Sequence, residues 1–208
     1  GEEKEVIARA KELAVTRFAV VGFDTDTITR SLELSEEFKE VVSIIGWHPT
    51  EAYRYNREIE EWLQERLTHP QVVAMGEMGL DYYWKDSTPE EQDKVFRRQI
   101  AIAKEMKLPI VIHNRDATED CYKILKAGLE NNMLPTLHTE FYSAIGGAKV
   151  AAELKAANVG HLNYLSLEDI GLLKESDVVG VLIPSTDFSV NHKKPFDPKP
   201  MFDKGMTI

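Results

Sequence analysis

The chain has 208 residues, 43% hydrophobic and 29% charged, with a net charge of −10. That is the composition of an ordinary globular protein with one sizeable core, and its acidity excludes a general basic nucleic-acid footprint while leaving room for a local basic patch. No apolar run approaches the roughly 20 residues that span a bilayer, and the single Cys121 excludes an internal disulfide and fits a reducing, cytoplasmic compartment.

The charged start, Gly1 to Glu5, does not read as a signal peptide, and a leading glycine reads as a trimmed or processed end. Val6, Ile7, Ala10 and Leu13 give Glu5–Ala14 a helical spacing. Phe18–Phe23 reads as a strand stopping at Asp24, Thr27–Phe38 as a helix, and Val41–Trp47 as a strand ended by His48-Pro49. A helix over Glu58–Leu67 leads to the strand Val72–Met75, which runs into Gly76, Glu77 and Gly79. Glycine weakens a strand, so its presence there calls for a close backbone approach or a sharp turn. Pro89–Met106 is a long amphipathic helix, with Pro89 placed where a missing N–H costs nothing and Ser87 or Thr88 able to cap it. Pro109–Ile112 is a strand ending at His113.

The second half keeps the rhythm more weakly. Helices are expected over Glu119–Glu130, Ala148–Ala156 and Leu167–Lys174, with a helical turn at Pro200–Lys204. Strands are expected over Leu134–Phe141, Val159–Leu165 and Val178–Ile183, with a last one starting at Met206–Ile208. Asp187–Pro200 reads as a long polar loop. Apolar strands alternating with amphipathic helices argue a parallel sheet covered by helices. Eight such units in one domain favour an α/β fold of the (β/α)8 TIM-barrel type, here starting with a helix and ending on a strand.

Polar residues collect where the strands end: Asp24, His48, Glu77, His113, His138 and His161. A lone histidine at a strand end is more often hydrogen-bonded structure than a ligand. Repetition shifts the balance, because the strand C-termini of a barrel share one face. Imidazoles and carboxylates gathered there suit a divalent ion, Zn²⁺, Mn²⁺ or Mg²⁺, which would acidify a bound water. His69 and His192 lie in loops and read as solvated.

"IIGWHP", "GEMGLDYYW" and "QDKVFRRQIAIAKEMKLPIVIHNRDA" resemble the TatD-type deoxyribonucleases, metal-dependent hydrolases on a TIM-barrel-like fold. The resemblance covers about Glu5–Asn131. It implies Glu77 and His113 as metal ligands, with Glu77 also catalytic, and leaves His48 and Asp81 in family motifs without being the usual ligands. Arg115 is a candidate for a substrate phosphate, since guanidinium matches phosphate geometry, or else forms a structural ion pair. The family's H-x-H-x-D strand and its late T-D-x-P strand have no counterpart in the sequence, and Asp187 in "PSTDF" only imitates the second.

From about Leu134, the stretches "LHTEFYSAIGGAKVAAELKAANVGHLNYL" and "KPMFDKGMTI" are similar to the later strands of imidazolonepropionases, metal-dependent amidohydrolases. That resemblance implies His138 as a third metal ligand and His161 as a catalytic contact; the family's substrate-binding position falls on Phe141, and Glu140, one residue earlier, is the substrate-binding candidate. Strand alternation would turn Glu140 the same way as His138. A single domain made of a TatD-like half, residues 1–131, and an imidazolonepropionase-like half, residues 132–208, is therefore expected, with an engineered chimera favoured. Its expected activity is a metal-dependent hydrolysis of DNA or a small cyclic amide, weak or absent for want of ligand strands. The alternative is a catalytically inactive scaffold, dimeric through open strand edges. No membrane partner is expected.

Overall fold

Seven parallel strands pair in chain order: β1 (Phe18–Gly22), β2 (Val41–Ile45), β3 (Val72–Asp81), β4 (Ile110–Arg115), β5 (Pro135–Thr139), β6 (Asn158–His161) and β7 (Val179–Val181). The structure, a computed structural model, describes residues 2–12, 15–129, 135–140, 143–183 and 197–208. The helices are α1 (Glu2–Glu12), α2 (Thr25–Glu37), α3 (Arg57–Leu67), α4 (Pro89–Met106), α5 (Thr118–Leu129), α6 (Gly147–Glu153), α7 (Leu167–Glu175) and α8 (Lys199–Lys204), with a 3₁₀ turn at Pro49–Arg54. Each strand pairs parallel to the next, so every link is a crossover and all strand C-termini face one side. This is the expected TIM-barrel-like arrangement of strands and helices.

Its closure differs from the expectation. The eighth strand expected at Met206–Ile208 adds no ladder: it gives one backbone bond, from Gly180 N–H to the Thr207 carbonyl at 2.8 Å. Among the described residues β1 and β7 do not pair, and they form the two edges of the sheet. The loop residues Asp187 and His192 lie outside the described residues.

Burial follows the strands but divides. One core cluster gathers β2, β3, β4, α4 and α5 around Trp47, Phe96, Met75 and Ile110. A second gathers β5 to β7, α6 and α7 around Val159, Leu162 and Leu173. Two buried glutamines of α4, seven residues apart and so on one helix face, anchor strand ends. Gln99 accepts from Trp47 N–H at 2.7 Å and donates to the Trp47 carbonyl at 2.9 Å. Gln92 does the same to Asp81, at 2.8 and 2.9 Å.

Candidate metal centre

The strand read as stopping at Met75 continues to Asp81. Met75 pairs with Ile110 and Met78 with Ile112, so Gly76 and Glu77 together face Val111. Two residues against one is a β-bulge, which re-aims a side chain. A Cβ on Gly76 would lie 2.5 Å from the Val111 carbonyl oxygen, and one on Gly79 1.9 Å from that of His113. The glycines thus answer to the close backbone approach expected of them, and the bulge they permit presents Glu77 at the sheet's C-terminal face.

Glu77 meets two imidazoles there. Its Oε1 lies 3.4 Å from His113 Nδ1 and 3.9 Å from His138 Nδ1. His113 Nε2 lies 2.8 Å from Asp81 Oδ2. Asp81 Oδ1 accepts from Tyr83 N–H at 3.0 Å and Trp84 N–H at 2.9 Å. The His48 ring packs edge-on against His113, centroids 4.4 Å apart, and the His161 ring packs edge-on against His138 at 5.1 Å.

Burial and charge set the protonation states. Burial pushes the Glu77 carboxyl up, but the hydrogen bond and charge of His113 outweigh it and hold the acid at about 2. Burial pulls His113 down, but Asp81 and Glu77 on its two nitrogens outweigh it and hold the ring up at about 9. Burial, with the His113 charge, depresses His48 to about 4 and lowers His138 as well. Asp81 is lowered: burial is overcome by its bonds to His113 and Trp84 N–H.

The predicted site residues sort by position. Glu77, His113 and His138 come together at one end of the sheet, and a cavity of about 300 Å³ opens over them, shared by His161, Arg115 and Glu140. Glu140 departs from the expected alternation. It lies past the end of β5 with φ 58°, and its carboxylate accepts from Ile145 N–H at 2.9 Å and Ala148 N–H at 3.1 Å. The Arg115 guanidinium stacks on the Tyr83 ring, 3.8 Å from its centroid. His69, read as solvated, pairs with Glu36 at 3.3 Å.

His48, a strand-end residue outside the family's usual ligands, also joins the group. One ligand atom from each of His48, Glu77 and His113 falls within 4.8 Å of the others. His48 Nδ1 lies 2.7 Å from Thr50 Oγ1 and 3.3 Å from Thr50 N, contacts that fix the ring through Nδ1 and leave its role to Nε2. The signal was the "HP" after β2: a histidine just before a proline at the start of a helical turn is placed to cap it.

The donor set fits a divalent ion. Spacings of 3.4 and 3.9 Å between Glu77 and the two imidazoles suit pairs of ligands each about 2.0–2.2 Å from a shared centre, and the three residues whose ligand atoms all lie within 4.8 Å of one another are His48, Glu77 and His113. Asp81 behind His113 completes the carboxylate–histidine pair that orients a metal-binding imidazole. Thr139 Oγ1, buried in the cavity wall, has no hydrogen-bond partner among the described residues.

A family profile described as TatD related DNase matches residues 1–164. The match crosses the junction expected near Asn131–Pro135 and takes in His138 and His161. The chain is 54% identical over 123 residues to the uncharacterized metal-dependent hydrolase YabD of Bacillus subtilis, a span covering 59% of this chain and 48% of that protein. It is 32% identical over 137 residues to the 3′-5′ ssDNA/RNA exonuclease TatD of Shigella flexneri, covering 66% of this chain and 53% of that one. The chain thus spans about half the length of these curated relatives. Its fold is similar to that of a TatD-family hydrolase from Entamoeba histolytica, with a TM-score of 0.69 at 20% identity over 85% of this chain and 63% of that one.

Proposed function

The chain belongs to the TatD-related DNase family, and on that premise we propose a metal-dependent hydrolase that cleaves phosphodiester bonds in a DNA or RNA strand. One observation carries the reading: a single carboxylate oxygen of Glu77 faces His113 and His138, with Asp81 behind the first imidazole. Glu77, His113 and His138 would hold the ion, Zn²⁺, Mn²⁺ or Mg²⁺. Bound there, it would supply Lewis acidity toward a phosphoryl oxygen and acidify a water near neutral pH.

The rest falls to the chain's own groups. Arg115, clamped on Tyr83, aims its N–H edge at a phosphate. His48, held through Nδ1 by Thr50, would donate from Nε2 to a second phosphoryl oxygen. His161, ring to ring with His138, passes a proton to the leaving oxygen. Glu77 orients the attacking water as well as binding. Glu140 shapes the substrate side of the cavity through the backbone N–H groups it holds. The cytoplasmic compartment expected from the single thiol is part of this proposal; among the described residues no helix is long and apolar enough to cross a membrane.

The test is cleavage of a labelled single-stranded oligonucleotide with Mn²⁺ or Mg²⁺. Chelator-sensitive turnover is expected, with Glu77→Ala lowering kcat/KM by about 100-fold or more. Turnover that survives both chelation and Glu77→Ala would overturn the reading.

A second reading has one observation in its favour, the division of the core. It takes the residues from about 134 as imidazolonepropionase-like, acting on a small cyclic amide or on nothing. The chain is then a joined, silent scaffold, paired to a second copy through the open edges of β1 and β7. Absence of turnover on both substrate types, with a dimer by light scattering, supports it.

A further inference from the structure

Exposed aromatic side chains grouped beside a site offer large apolar faces on which a ligand can stack. Among the described residues five are exposed: Phe23, Tyr53, Tyr83, Trp84 and Phe202. Four of them follow the C-terminal ends of β1, β2 or β3, the end of the sheet that carries Glu77 and His113. Tyr83 and Trp84 are each 52% exposed, enough to leave ring surface open to a ligand.

Tyr83 and Trp84 are also fixed in place. Their backbone N–H groups both donate to Asp81 Oδ1, while Oδ2 of the same carboxylate holds His113. One side chain therefore fixes the backbone of both residues relative to the centre. Their planes stand at 87° with centroids 5.1 Å apart. The Arg115 guanidinium lies over Tyr83 at 3.8 Å, and Trp84 is farther from it at 6.0 Å. Stacking uses the flat face of the guanidinium and leaves its N–H groups in the plane, parallel to the ring. The guanidinium thus lies on one ring and beside an indole with open surface.

We infer that Tyr83 and Trp84, braced by Asp81 and Arg115, form a platform for an unpaired nucleobase next to the phosphate held at the centre. The inference rests on the nucleic-acid reading above and adds to it. The platform takes the base of a single strand, because a paired base keeps its faces stacked within the duplex. It accepts any of the bases, since each has a π-face and the rings offer no hydrogen-bond code.

Binding to the intact protein in a chelator tests this without any hydrolysis. The probes are a labelled short oligothymidylate and an abasic oligomer of equal length, followed by anisotropy. The oligothymidylate is expected to bind about 10-fold tighter. Trp84→Ala should remove most of that preference and Trp84→Phe should keep it. Equal affinity for the two oligomers in the native protein, or a preference untouched by both Trp84→Ala and Tyr83→Ala, would overturn the platform. So would failure of both oligomers to bind. Cleavage of the abasic oligomer with Mn²⁺ alongside equal binding would sink the platform and leave the hydrolase standing. A clear preference in binding without any metal-dependent cleavage would do the reverse.

Discussion

His113 sits between two carboxylates, and that alone dictates a pH response in the metal-free protein. With Asp81 on Nε2 and Glu77 on Nδ1, the ring is held protonated up to about 9 against an ordinary 6.5. The native state therefore keeps a proton that the unfolded chain gives up earlier. The stabilisation is complete below about 6.5 and fades as pH rises through about 9. Glu77, held at about 2 against 4.5, works at the other end: its share is present above 4.5 and lost as pH falls through about 2. In chelator, the thermal midpoint is expected to fall between pH 7 and pH 10, and His113→Asn should flatten that slope. An equal slope in the variant would place the effect elsewhere. The sequence showed His113 and Glu77 as strand-end residues, yet gave no sign of the proton between them, because the bulge that brings Glu77 across is a matter of register.

Elements with strong local chemistry were read accurately. Helix α4 runs from Pro89 to Met106 as expected, since Thr88 and Glu91 exchange hydrogen bonds at its start and Pro89 suits its first position. Strand β3 runs to Asp81, past the end expected at Met75: Gly76 and Gly79 lower strand propensity, and only the neighbouring backbone of β4 explains them. The amide pairs of α4 were not legible at all: buried Gln92 and Gln99 look, in sequence, like solvent-facing polar residues. Gln99→Leu tests their worth. Leucine fills a similar volume but leaves the Trp47 N–H and carbonyl buried without their partner. An unsatisfied buried group costs about 1–3 kcal/mol, so a loss of about 2–5 kcal/mol is expected by urea unfolding, with slope unchanged. A loss under about 0.5 kcal/mol would mean that water takes over the pair.

At the scale of the molecule, the alternation of strands and helices made the parallel sheet legible, and parallel strands joined by helices admit few other topologies. Edge closure was not legible, since it depends on which strands pair rather than on pattern. The core's division was also hidden, because it depends on which side chains meet rather than on their pattern along the chain. That division has a dynamic consequence. The first cluster is tied by β3, ten residues long, and α4, eighteen. The second relies on β6 and β7, of four and three residues, and on α6 and α7, of seven and nine. Short strands contribute few ladder bonds, so the second cluster should open without the first. Amides of Ile110–Ile112 are expected to exchange only through global unfolding, those of Val179–Val181 faster, and the tail around Thr207 fastest. Leu173→Ala makes the test sharp. Leu173 is fully buried in the second cluster, and its truncation should cost about 2–5 kcal/mol there. Exchange in β6 and β7 should then accelerate while Ile110–Ile112 holds. Leu154 and Val150 of the α6 region also touch the first cluster, and they are the path by which the effect could spread. If Ile110–Ile112 speeds up as much as Val179–Val181, those contacts bind the two cores into one cooperative unit, and the division has no energetic meaning.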